Sequence, residues 1–177
     1  IDLEKRSNQP LRSKNKIIAF NGEIYNYLEL KNELKTKGYI FNTNSDTEVL
    51  LRAYIEWGSQ CLEKLKGMYA FAIWDAQEKQ LFCARDRLGI KPFYYCKKKD
   101  SFYFASEIKG LFAGGIIPTV NERIVFDFLA RDIYEHSTQT FFEDIYVLPP
   151  GHWMVVTDGT IKNMASYWDF PERVKNT

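Results

Sequence analysis

Met68–Trp74 reads Met-Tyr-Ala-Phe-Ala-Ile-Trp, the longest unbroken apolar run in the chain. Seven residues fall far short of a membrane span. Side chains of a strand alternate between two faces, so a strand apolar at every position is buried on both. Its sheet therefore needs a packed layer on each side. Asp75–Gln80 is polar and Leu81–Ala84 is apolar again, so the run returns on itself as a hairpin.

Further hairpins follow. Phe93–Cys96 and Phe102–Ala105 flank Lys97–Asp100, and Trp153–Val156 and Ile161–Met164 flank Asp158-Gly159. Ile17–Phe20 reads as a buried strand that Asn21-Gly22 stops, because both residues tolerate positive φ. Asn26 with Glu29 forms a capping-box pattern ahead of Tyr27, Leu30 and Leu34, with Gly38 as the stop. Phe41 closes a short strand. Ser45-Asp46-Thr47-Glu48 is a second capping box, and Val49, Leu50, Ala53, Tyr54 and Trp57 follow at helical spacing up to Gly58. Ser106-Glu107 opens a short helix through Phe112, and Asn121 caps another over Glu122–Ala130. Hairpins with helices in separate pairs predict an α+β domain of antiparallel sheets, a two-sheet sandwich covered by helices.

Composition excludes several function classes. The chain has 177 residues, and 24 basic against 23 acidic side chains leave a net charge of +1. That balance offers no basic footprint for nucleic acid and no polybasic membrane patch. The length suits a single domain over 1–177. Three cysteines, Cys61, Cys83 and Cys96, make no disulfide framework and no CxxC pair, so a cytoplasmic home is expected. His136 and His152 are too few and too far apart for a zinc site, and no metal site is expected.

Four clusters of residues invite chemistry. Asn21-Gly22-Glu23 is a plain turn, or it is a side-chain amide beside an unencumbered Gly N–H, two donors that converge as in an oxyanion hole. Asn44–Glu48 caps a helix, and Asp46 has carboxylate to spare for a cationic ligand group. Arg85–Pro92 alternates charges around Gly89 and reads as an ordered loop with an ion-pair network or an interface. Leu148–His152 contains Pro-Pro-Gly, a rigid turn beside which a lone His is structural. Cys83 alternates into a core, and Cys96 has neighbouring lysines but no base nearby in sequence. The residues by themselves identify no nucleophile.

Ala19-Phe20-Asn21-Gly22-Glu23-Ile24-Tyr25-Asn26-Tyr27 resembles the signature of the class II glutamine amidotransferase domain of asparagine synthetases. Asn44–Glu48, Gly67–Asp75, Arg85–Tyr95, Phe104–Lys109, Leu148–His152 and Tyr167-Trp168 resemble its other blocks, in the same order. Ile1-Asp2-Leu3 with Gln9-Pro10 is similar to a further family stretch. The Glu-Ile-Tyr-Asn and Arg-Asp…Gly-Ile-Lys-Pro forms resemble the asparagine synthetases more than the sugar or purine amidotransferases. The resemblance implies an N-terminal-nucleophile hydrolase fold, an αββα sandwich of two antiparallel sheets. It also implies hydrolysis of the glutamine side-chain amide through a cysteinyl thioester, with ammonia passed to a synthetase domain that uses ATP and Mg²⁺. Asn21 and Gly22 would then form the oxyanion hole, and Glu23 and Asp46 would hold the glutamine α-ammonium. The resemblance suggests a homodimer.

The family's N-terminal Cys, its Arg-Gly-Pro block and the Arg that grips the glutamine carboxylate have no counterpart in 1–177, and neither has the synthetase domain. The expectation is a domain lacking its first strand or strands, inactive by itself, with no cofactor of its own. An open sheet edge should leave it poorly soluble or paired with another copy. Two other readings compete: a degenerate, non-catalytic scaffold, and the amidotransferase domain of a related synthetase with another acceptor.

Overall fold

A computed structural model describes residues 4–133 and 136–169. The Ile1–Leu3 stretch and the polar end at Val174–Thr177 lie outside the described residues. The elements in chain order are β1 (Leu11–Ser13), β2 (Lys16–Ile24), α1 (Tyr27–Thr36), α2 (Asp46–Trp57), α3 (Cys61–Lys64), β3 (Gly67–Asp75), β4 (Gln80–Arg85), β5 (Tyr94–Lys98), β6 (Ser101–Ala105), α4 (Ile108–Ala113), α5 (Glu122–Arg131), β7 (Ile145–Val147), β8 (His152–Thr157) and β9 (Thr160–Ser166). The large sheet has the order β1-β2-β3-β4-β8-β9 and the small one β6-β5-β7, and every pairing is antiparallel.

The apolar run sits in the middle of the large sheet as β3. Tyr69, Phe71 and Ile73 point to one side and pack with Leu30, Leu34, Val49, Leu50 and Leu62 from the helices. Ala70 and Ala72 point to the other and pack with Phe93, Tyr95 and Leu148 beneath the small sheet. Burial on both faces holds for Tyr69–Ile73, whereas Trp74 at the end of the run is 37% exposed. Alanines on the inter-sheet face let the two sheets approach. Behind the small sheet, Leu111 of α4 packs on Cys96 and Ile145. The layers run helix, sheet, sheet, helix, as the sequence predicts.

Three local expectations fail. Asn21-Gly22 does not stop β2, which continues in register with β3 to Ile24↔Gly67. A Cβ at Gly22 would fall on the Met68 carbonyl oxygen and 2.7 Å from Tyr69 Cα, so the glycine serves close strand approach and not a turn. Asn26 does not cap α1. Its side chain instead donates to Lys64 O (3.0 Å) and accepts from Lys66 N (3.0 Å), tying the α1 entry to the segment before β3. Phe41 is in no strand, because Glu48 gathers the N–H groups of Asn42 (3.0 Å) and Thr43 (2.7 Å) and holds that segment as a loop. Ser45 and Asn121 do cap α2 and α5, with Ser45 Oγ accepting from Thr47 N (3.1 Å) and Asn121 Oδ1 from Ile124 N (3.3 Å), while the returning half of the Ser45–Glu48 box does not form, because Ser45 N donates to Thr43 Oγ1 (3.2 Å).

Candidate functional site

The site is built on the far half of β2. Tyr69 directs both of its main-chain groups at Asp86: its N–H donates to Oδ2 (3.2 Å) and its carbonyl accepts from Asp86 N (2.7 Å). In an antiparallel ladder a residue's N–H and C=O point to the same side. Tyr69 therefore faces β4, and its cross-strand partner Gly22 turns its own N–H away from β3. By the same alternation Phe20, Gly22 and Ile24 all direct their N–H groups at the open edge of β2, since β1 pairs only with Lys16–Ile18. Phe20 N donates to Gln9 Oε1 at 2.6 Å, and Ile24 N donates to Asp46 Oδ2 at 3.0 Å. Between these two satisfied donors, the Gly22 N–H meets no acceptor among the described residues.

Asn21 lies on the inter-sheet face of β2 beside Ala70, with its side chain exposed. It lines a cleft of about 200 Å³ between the sheets, together with Gln9, Ala70, Phe93, Phe104 and Ser106. Phe93 and Phe104 stack there with ring centroids 5.4 Å apart. Glu23 is on the same face as Asn21 and is exposed. Asp46, half-buried in the first turn of α2, is pinned to the residue after Glu23 by one oxygen, and Oδ1 remains for a ligand. Asn21, Gly22 and Glu23 are consecutive on β2 and Asp46 meets the edge of that strand at Ile24, so one stretch of strand carries two neutral donors and two carboxylates. Such a set suits a ligand with a cationic group at one end and an oxygen that gains negative charge at the other.

A larger cavity of about 510 Å³ lies elsewhere, between α1 and the 39–44 loop, and touches none of these four residues. Its Lys31 is already committed to Thr43 O (3.0 Å) and Asn44 Oδ1 (3.3 Å). Among the described residues no group of three or more His, Cys, Asp and Glu is placed to hold a metal ion, and no helix is long and apolar enough to cross a membrane.

The remaining sequence candidates are structural. Asp86, 1% exposed, accepts with Oδ1 from Leu88 N (3.1 Å) and Ile90 N (3.0 Å) and with Oδ2 from Tyr69 N and Lys91 N (2.9 Å). Arg85 clamps the same loop by donating to the carbonyls of Lys91 (2.7 Å), Gly89 (2.6 Å) and Leu148 (2.8 Å). Side-chain bonds to main chain thus order the 85–92 loop. His152 Nδ1 lies 2.7 Å from Pro150 O, and because a carbonyl only accepts, that nitrogen carries the proton. All three cysteines are buried and unpaired. Burial pushes the Cys61 thiol up to about 12 and raises Cys83 and Cys96, so none is a thiolate near neutral pH. Tyr167 donates to Arg85 O (2.8 Å) and must accept from Tyr69 (2.8 Å), and burial raises both phenols, Tyr167 to about 12. Reading along the chain missed Gln9 and the aromatic cleft wall, for which the Gln9-Pro10 pair was the available signal.

Residues 1–168 match the family model described as the glutamine amidotransferase domain. Asparagine synthetase [glutamine-hydrolyzing] 3 of Bacillus subtilis (strain 168) is 40% identical over 156 residues, 86% of this chain and 25% of that protein. Amidase chry2 of Gibberella zeae is 33% identical over 177 residues, 98% of this chain and 26% of that protein. Among solved structures, the glutamine phosphoribosylpyrophosphate amidotransferase of Bacillus subtilis superposes with a TM-score of 0.65 at 26% identity, covering 93% of this chain and 33% of that one. The chain thus spans about a quarter of the length of the sequence relatives it matches.

Proposed function

The chain belongs to the glutamine amidotransferase domain family, and from that premise we propose that it is the glutaminase domain of a glutamine-hydrolysing asparagine synthetase. The observation that carries this reading is the Gly22 N–H, the one edge donor of β2 left open between two that Gln9 and Asp46 occupy, with the Asn21 amide beside it. A thiolate adding to the side-chain carbonyl of glutamine converts it to a tetrahedral oxyanion. Asn21 and the Gly22 N–H donate to that oxygen and strengthen as its charge develops, which lowers the barrier without tightening ground-state binding. Glu23 and Asp46 receive the α-ammonium. Asp46 stays oriented because the Ile24 N–H holds its other oxygen.

The nucleophile comes from outside residues 1–177, a view supported by the burial and raised pKa of all three cysteines. The ammonia is used in another part of the protein, where ATP and Mg²⁺ activate aspartate. Three unpaired buried thiols fit a reducing, cytoplasmic setting. A second reading, an amidotransferase with a different acceptor, is favoured by the match of the whole chain to an amidase at 33% identity. The acceptor site lies outside this domain in either case.

Asn21→Ala in the complete protein should lower glutaminase kcat by roughly 10²–10³ with little change in KM. An unchanged kcat would remove the oxyanion role. Purified 1–177 should release no glutamate from glutamine. Release above the buffer rate would show that this segment holds its own nucleophile.

A further inference from the structure

Among the described residues, Gln9 is the side chain that both pins the edge of β2 and lines the cleft with Asn21. The two ends of its amide are distinguishable. A backbone N–H only donates, so the atom 2.6 Å from Phe20 N is the carbonyl oxygen Oε1. That fixes Nε2 on the opposite side of the amide and turns its two N–H donors away from the strand. No acceptor meets those donors among the described residues, and Gln9 is exposed. The strand edge therefore orients a neutral donor pair on the cleft wall, two residues along the edge from the open Gly22 N–H.

Resting on the reading above, we infer that the Gln9 side-chain amide is a third hydrogen-bond donor to the bound glutamine. Its oxygen is held by the protein and its NH₂ is offered to a substrate oxygen. Asn21 and Gln9 are then two amides of opposite origin, one carried on β2 and one brought to its edge from the segment before β1.

Two substitutions in the complete protein separate this role from a structural one. Gln9→Ala removes both ends of the amide. Gln9→Glu keeps an oxygen for the Phe20 N–H and replaces the donor with a carboxylate. Glutaminase kcat/KM should fall about tenfold in Gln9→Ala, the size of one neutral hydrogen bond. It should fall further in Gln9→Glu, because the new carboxylate repels the substrate oxygen. Ammonia-dependent amidation should be unchanged in both, which checks that the protein is folded. Rescue by Gln9→Glu, to wild-type values or to any level above Gln9→Ala, would show that Gln9 only pins the strand and would overturn the inference. So would unchanged kinetics in Gln9→Ala. Absence of glutaminase activity in the unsubstituted protein would instead overturn the function proposed above, so the two failures are distinct.

Discussion

Asp46 and Asp86 are the same residue type, and each meets main-chain donors at the same end of the large sheet, yet they do opposite things. Asp86 is buried, and both oxygens take two N–H donors each, from Tyr69, Leu88, Ile90 and Lys91. Nothing is left for a ligand, and the 86–91 loop is organised around it. Asp46 uses one oxygen on Ile24 N and keeps the other, and its neighbour Glu23 is exposed. Charge alone does not separate these residues, since both are aspartates in polar clusters of the sequence. The state of hydrogen-bond saturation does. A carboxylate whose lone pairs are filled by its own chain is architecture, and one with capacity to spare beside an open donor has the chemistry to take the ligand group proposed for it.

The comparison predicts effects of graded size. Asp86→Ala leaves four main-chain donors without their acceptor and should lower stability by about 3 kcal/mol or more, read by chemical denaturation. A loss under about 1 kcal/mol would mean that water replaces Asp86 freely and that saturation is a poor guide. Asp46→Asn keeps an oxygen for the Ile24 N–H and removes the charge. It should raise the KM for glutamine at least tenfold, by loss of a charge-assisted bond, with ammonia-dependent synthesis and melting temperature unchanged. Equal loss of both activities would move Asp46 into the same class as Asp86.

Asp75 lies between these two extremes and carries a smaller effect. Burial opposes its ionisation, but Lys16 Nζ at 2.6 Å and the N–H groups of Gln77 and Glu78 outweigh burial and hold its carboxyl below the usual range. A carboxyl depressed in the folded state adds stability above its unfolded value, about pH 4, and loses it as pH falls through the lower folded value. Asp75→Asn should therefore cost about 1 kcal/mol at pH 7, and the gap from wild type should close below about pH 4. A gap independent of pH would assign the effect to packing.

Much of the fold was legible because its signals are local. The apolar run of β3, the hairpin returns and the caps at Ser45 and Asn121 each depend on a few consecutive residues. The failures share one cause, which is a partner outside the short stretch that carries the propensity. Asn21-Gly22 carries turn propensity, but β3 lies against it and carries β2 onward. Asn26 suits a cap, but Lys64 and Lys66 offer it two bonds from across the fold. Phe41 has strand propensity, and Glu48 takes the N–H groups a strand would have used. β1 and β7, three residues each, carry too little pattern to be read at all.

The layered α+β architecture is written in the chain, because burial pattern is a property of consecutive residues, and the same holds for the motif that nominates Asn21, Gly22, Glu23 and Asp46. Which donors stay open depends on packing between segments remote in sequence. The Gly22 N–H is free because Tyr69 turns its own main-chain groups to Asp86, and the edge on either side of it is occupied by Gln9 and Asp46. Those partners lie 11 and 22 residues from the groups they take. Hydrogen-bond capacity left unfilled is set by everything that packs nearby, and no window of sequence contains it.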